Sequence, residues 1–156
     1  MSVFKRILDV IKKILIVILI IFILCFGSIV FQKKILKNTI PNLFGYVGGT
    51  IMTGSMEPNI KIGDYVVARV NDGYDVGDVV MFKYGSNYIA HRVIEIYDDE
   101  ILTKGDNNKT ADVKIKKTDV VGPVVKVFSG FGKFISFLVK YKYLIFLIVV
   151  LVTILL

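Results

Sequence analysis

Eighteen residues without a charge, Ile14 to Phe31, read ILIVILIIFILCFGSIVF and constrain this chain more than any other feature. As a helix they are roughly 27 Å long, about the thickness of a bilayer's hydrocarbon core. A cleavable leader has a shorter apolar region, about 7 to 15 residues, ending in small residues at the cut. Here the run closes on Ser28-Ile29-Val30-Phe31-Gln32, so the expectation is an uncleaved transmembrane anchor. A second apolar run, Tyr143 to Leu156, is roughly 21 Å as a helix and short for a span. Phe131, Phe134, Ile135 and Leu138 precede it at i, i+3, i+4 and i+7, the spacing of an interfacial amphipathic turn. Lys140 and Lys142 would snorkel to the headgroups, and the whole segment reads as a tilted second transmembrane helix.

Charge separates two classes of partner. The chain has 20 basic and 13 acidic residues in 156, a net of +7. Ten of the basic residues flank the apolar runs: Lys5, Arg6, Lys12, Lys13, Lys33, Lys34, Lys37, Lys133, Lys140 and Lys142. Residues 38–132 hold the other ten against twelve acids, a net of −2. A near-neutral middle between basic membrane margins fits a lipid bilayer as partner and excludes nucleic acid, which needs a concentrated cationic face. The positive-inside rule does not orient the chain, because Lys5, Arg6, Lys12 and Lys13 against Asp9 balance Lys33, Lys34 and Lys37 at +3 each. One cysteine, Cys25, and one histidine, His91, make no disulfide and no zinc site of the usual ligands, so neither a cofactor nor a metal is expected.

The middle is broken at short intervals by Gly, Asp and Asn, with β-branched and aromatic clusters between, and it reads as mainly β. Strands are expected at Tyr65 to Val70, Val79 to Tyr84, Ile89 to Tyr97, Ile101 to Thr103 and Val120 to Phe128. Turn signals stand between them at Asn71-Asp72-Gly73, Gly85-Ser86-Asn87, Asp98-Asp99-Glu100 and Gly105-Asp106-Asn107-Asn108. The resulting division is a basic stretch 1–13, an anchor 14–31, a β domain 32–132, and an amphipathic segment with a second span over 133–156.

Chemistry concentrates in few places. In GGTIMTGSMEPNIKIG, residues 48–63, Ser55 follows Gly54 and precedes Pro58, so its hydroxyl can project from a tight bend beside free backbone N–H groups. An isolated Gly-Ser pair is most often just a turn. His91 lies in a strand and is the only side chain of a type whose ordinary pKa suits a general base near neutral pH. The acids Asp106 and Asp112 follow it, and either could hold the far imidazole nitrogen. Asp106 also suits a tight turn, and spacing does not choose between the two.

Taken together, Ser55-Met56-Glu57-Pro58, Gly63-Asp64, Gly77-Asp78-Val79-Val80-Met81-Phe82, His91-Arg92-Val93 and Lys104-Gly105-Asp106-Asn107-Asn108 resemble, in order and spacing, the type I signal peptidases. The branch is the one found in the endoplasmic reticulum, archaea and some Gram-positive bacteria, where histidine stands in place of the lysine base of the common bacterial branch. The resemblance covers roughly residues 50–125 and implies a signal-peptidase-like β fold. It implies Ser55 as nucleophile, His91 as base and Asp112 as triad acid, with Asp106 the alternative because the usual pair of acids is Ala111-Asp112 here. The Ser55 backbone N–H and Thr53 would hold the oxyanion. The implied activity is a membrane-bound serine endopeptidase that removes signal peptides from preproteins after small residues at the −3 and −1 positions, without a cofactor. The implied location is the cell membrane with the catalytic domain on the extracytoplasmic face, working on preprotein signal peptides beside the secretion translocon or accessory subunits.

Three other readings stand against this one. A non-catalytic membrane-anchored adaptor or assembly subunit with the same β domain would not need Ser55, His91 and Asp112 together. A serine and lysine peptidase would use Lys83 or Lys104 as base. A calcium-binding ectodomain would use Asp64, Asp72, Asp75 and Asp78, which do not have EF-hand spacing. Asn108-Lys109-Thr110 is a formal glycosylation sequon too close to the proposed site to be expected modified.

Overall fold

The computed structural model describes residues 3–34 and 42–155. Lys37 and Leu156, which figure in the flanking charge and in the second apolar run, lie outside them. The chain divides into two compact units.

The unit Phe44–Ser136 holds an antiparallel sheet. Its strands are β1 (Tyr46–Thr50), β2 (Tyr65–Arg69), β3 (Val79–Tyr84), β4 (Asn87–Ile96), β5 (Glu100–Lys104), β6 (Ile115–Lys116) and β7 (Val120–Phe128). They lie in the order β1-β2-β7-β3-β4-β5-β6, so the last strand inserts between the second and third and ties the two halves of the sheet together. Register shifts at Val67/Ala68, Met81/Phe82 and Val93/Glu95 bend it. Simple alternation of buried and exposed residues breaks down in β3, where Val80, Met81 and Phe82 are all buried. Both faces of the sheet are therefore covered there, as a curled sheet requires. Val80, Phe82, Val93, Ile101 and Ile115 form one core cluster, with Tyr74, Ile89 and Val120 against it.

β3 and β7 occupy the residues expected of them, and β4 begins two residues before Ile89. β1 and β6 were not among the expected strands. β1 reads Tyr46-Val47-Gly48-Gly49-Thr50, and its glycines hide the pattern. Gly48 lies against the Tyr65 ring with no room for a Cβ, so the glycine serves close approach between neighbouring strands. β6 has two residues, too few to carry a period.

A 3-10 turn at Lys117–Asp119 and three α-helices complete the described chain: α1 (Val3–Lys34), α2 (Phe131–Lys140) and α3 (Lys142–Leu155). In the helical unit α1 packs on α3, with Phe22 and Phe146 stacked at 6.1 Å between ring centroids. Both helices leave large apolar side chains exposed, among them Val10, Ile14, Val17, Ile21 and Leu24 on α1 and Leu144, Leu147, Leu151 and Leu155 on α3. Among the described residues no single helix is long and apolar enough to cross a membrane, while the bent pair Phe131–Lys140 and Lys142–Val152 has the length and composition together. The first half of α1 carries Lys5, Arg6, Asp9, Lys12 and Lys13.

Candidate active site

After β1 the chain makes a compact loop before entering β2. Its base is closed by the Ile51 N–H donating to the Asp64 carbonyl at 2.8 Å and the Gly63 N–H donating to the Ile51 carbonyl at 2.9 Å. Inside the loop, Glu57 N–H donates to Gly54 O at 3.1 Å and Ile60 N–H to Met56 O at 2.9 Å. The Glu57–Pro58 peptide is cis. Met56 is buried and pins the turn, which leaves its neighbour Ser55 half-buried at the surface of a cleft.

His91 lies on β4 opposite Val80 of β3 and is 6% exposed, with the Phe82 ring edge-on at 6.1 Å. Its Nδ1–H donates to Asp112 Oδ2 at 2.6 Å and its Nε2 accepts from Ser55 Oγ at 3.0 Å. The tautomer follows from these partners, since a carboxylate only accepts. Asp112 sits beyond β5, with its backbone N–H donating to Thr103 O at 2.8 Å. The Thr103 hydroxyl donates to Asp112 Oδ2 at 2.7 Å. An imidazole set between a hydroxyl and a carboxylate can take the hydroxyl proton while the carboxylate holds its tautomer and stabilises the cation.

Asp106 is placed differently. It receives Arg92 Nε and Nη2 at 2.8 and 2.7 Å, and Asn59 Nδ2 at 2.8 Å. Arg92 also donates to Gly77 O at 2.7 Å. The Arg92 guanidinium, helped by Asn59, holds the Asp106 carboxyl below its ordinary range against the opposing effect of burial, and Asp106 raises Arg92 in turn. Of the two acids left open by spacing, Asp112 therefore meets the imidazole and Asp106 meets the arginine that follows it.

The Gly105 to Asn108 turn also grips the serine loop. Asn107 N–H donates to Ser55 O at 2.8 Å and Asn107 Nδ2 to Gly54 O at 3.2 Å, fixing the peptide groups before and after Ser55. Among the described residues that nitrogen has no acceptor. Thr53 Oγ1 lies 3.4 Å from Ser55 Oγ. Asn107 lies in one of the sequence motifs, but nothing in the sequence assigns a task to Asn59, Thr103 or Asn107. Their side chains act across 9 to 53 positions of chain, a separation no local pattern reports.

The cleft has a volume of about 680 Å³ and runs between residues 50–53 and the start of β4, with Ser55 and His91 in its wall. Met52, Met56, Ile89 and Ala90 make the lining largely apolar. β5 pairs with β4 only from Arg92 onward, and the Val93 N–H donates back toward β3 at Asp78 O, 2.8 Å. By strand alternation the Ala90 peptide groups then face the cleft. Among the described residues, His91 and not Lys83 or Lys104 has a nitrogen within hydrogen-bond distance of Ser55 Oγ, and no cluster of three His, Cys, Asp or Glu side chains is placed to hold a metal.

A serine, histidine and aspartate joined in this way on a bent antiparallel sheet have the hydrogen-bond order that serine hydrolases use, and the chain belongs to the S24-like peptidase family, whose model matches residues 37–125. Within that family it is similar to signal peptidases of the branch named above. Signal peptidase I W of Bacillus subtilis (strain 168) is 36% identical over 80 residues, 46% of this chain and 42% of that protein. The signal peptidase complex catalytic subunit sec11 of Dictyostelium discoideum is 38% identical over 71 residues, 40% of each chain. The corresponding SEC11 subunit of Lachancea thermotolerans is 32% identical over 111 residues, 60% of this chain and 66% of that protein. The chain thus spans between two fifths and two thirds of the length of these relatives.

Proposed function

We propose that this protein is a membrane-bound serine endopeptidase that removes N-terminal signal peptides from preproteins. The observation that carries the reading is the continuous chain Ser55–His91–Asp112 opening on an apolar cleft. Ser55 Oγ attacks the scissile carbonyl as His91 takes its proton, and the Ser55 N–H with Thr53 stabilises the oxyanion. His91 then gives the proton to the leaving amine, and water releases the acyl-enzyme. An extended substrate segment enters the cleft as an added strand along the Ala90 edge. Small side chains at −3 and −1 fit between Met52, Met56 and Ile89.

The membrane half of the proposal rests on the uncharged run Ile14 to Phe31 within α1 and on the apolar faces of α1 and α3, which water would not tolerate at this extent. In this reading residues 1–13 are cytoplasmic, 14–31 anchor the chain, 32–132 form the extracytoplasmic catalytic domain, and 133–156 supply an interfacial helix and a second span. Sec11 relatives are named as subunits of a complex, which supports accessory subunits as partners. The test is cleavage of a membrane-inserted preprotein with small residues before its cut site, in liposomes. Wild type cuts there, and Ser55→Ala and His91→Ala fall to background while folded. A folded wild type inert on several preproteins, alone and with membrane extract, supports the adaptor reading instead.

A further inference from the structure

Thr103 occupies an inward position of β5, two residues after Ile101, and both are fully buried. For packing alone this position asks for valine, which has the same shape without the hydroxyl. A buried hydroxyl must find an acceptor or cost stability, and this one donates to Asp112 Oδ2 at 2.7 Å. The same oxygen receives His91 Nδ1–H at 2.6 Å. Thr103 also accepts the Asp112 backbone N–H through its own carbonyl at 2.8 Å, so one residue holds the aspartate at both ends. With its backbone and Oδ2 both fixed, the carboxylate cannot rotate about its terminal torsion, although its side chain is 23% exposed and open to competing water.

We infer that Thr103 is a positioning residue, which locks the Asp112 carboxylate against His91 so that the imidazole keeps its Nδ1–H tautomer and presents Nε2 to Ser55. The inference rests on the proposed roles of Ser55, His91 and Asp112. Thr103 itself touches no reacting atom. Its effect should appear in kcat and in the state of the imidazole, and scarcely in KM.

Because His91 is the only histidine, ¹⁵N-imidazole NMR of the full chain in detergent micelles reports on this ring alone. Wild type is compared with Thr103→Val, Thr103→Ala and Thr103→Ser, each checked for its thermal midpoint. Thr103→Val and Thr103→Ala are expected to lower kcat roughly tenfold to a hundredfold, the scale of one hydrogen bond to a charged group, with KM changed by less than about twofold. Their His91 spectra should show a mixture of tautomers, and Thr103→Ser should restore the single tautomer and most of the rate. In an Asp112→Asn background, Thr103→Val should add less than about twofold, because the residue acts through Asp112. Near wild-type kcat with the Nδ1–H tautomer intact in folded Thr103→Val and Thr103→Ala overturns the inference. So does a rate loss shared equally by Thr103→Ser, with lowered midpoints and unchanged spectra. Retained cleavage by Ser55→Ala or His91→Ala overturns it at a different level, by removing the reading on which it stands.

Discussion

Gly105 touches the serine loop more closely than any side chain would allow, and replacing it with alanine tests the whole placement of Ser55. A Cβ at this position would lie 2.6 Å from the Ser55 carbonyl oxygen and 2.8 Å from Asn108 Nδ2. Gly105 does not have positive φ, so the backbone accepts alanine and the perturbation is steric only. The Asn108 amide can swing aside. The carbonyl has little freedom, because it accepts Asn107 N–H at 2.8 Å from the same turn. The nearest ordinary carbon-to-oxygen approach is about 3.3 Å, so the Ser55 peptide and residue 105 must separate by about 0.7 Å. Carried to Oγ, that displacement opens the 3.0 Å contact with His91 Nε2 to about 3.7 Å, past hydrogen-bond range. Misplacement by about 1 Å costs on the order of a hundredfold in rate, so kcat should fall roughly 30- to 100-fold. Overpacking should cost about 1–3 kcal/mol of stability. The assay is preprotein cleavage at saturating substrate with a parallel thermal melt, and Gly73→Ala, whose Cβ meets nothing within 4 Å, is the neutral control. A folded Gly105→Ala enzyme with wild-type kcat would refute the argument.

Other substitutions separate the two acids. Asp112→Asn should lower kcat by about 10⁴, the cost of an imidazole held in the wrong tautomer, with little change in melting; a larger rate loss in Asp106→Asn would reverse the assignment. Asp106→Asn should cost roughly 1–2 kcal/mol, discounted because Arg92 is about a third exposed, and equal urea midpoints would argue against that ion pair. Asp64 is held below the ordinary carboxyl range by N–H groups of Lys61 and Gly130, and Asp106 by Arg92. Both have folded values below their unfolded ones, so their stabilisation is complete above about pH 4 and is lost as pH falls through the folded values. The urea midpoint should therefore decline on acidification below pH 4 and decline less in Asp64→Asn; parallel curves would count against it. Replacing residues 143–155 with a polar tail should leave the protein membrane-bound through α1, and its recovery in the soluble fraction would refute anchoring by that helix.

The sheet's well-populated strands were legible because β-branched residues cluster between Asn, Asp and Gly turns; Val79–Tyr84 and Val120–Phe128 appear with the expected bounds. β1 was not, since Gly48 is set by the Tyr65 ring across the strand pair, a contact no local pattern encodes. The order of strands was also hidden, because β7 closes against β2 and β3, whose paired residues lie far away along the chain. Ser55 and His91 could be named as candidates from residue chemistry and motif order, and their side chains meet at 3.0 Å. The partner of His91 could not be chosen by spacing, as Asp106 and Asp112 differ by six positions on one loop. The choice lies in Arg92, whose fork takes Asp106 and leaves Asp112 for the imidazole.

The loop that ends at Asp64 has a consequence for making this protein in pieces. Gly130 N–H donates to Asp64 Oδ1 at 2.7 Å and Gly132 N–H to Gly63 O at 2.8 Å, so the sheet unit closes on the first turn of α2. Its border therefore falls inside a helix and not in a linker. A soluble fragment trimmed at the end of β7 would leave the buried Asp64 carboxylate and the Gly63 carbonyl without those donors, at the root of the loop that carries Ser55. One extended through Ser136 keeps both, and is the stretch of chain from which the sheet unit can be expected to crystallise intact.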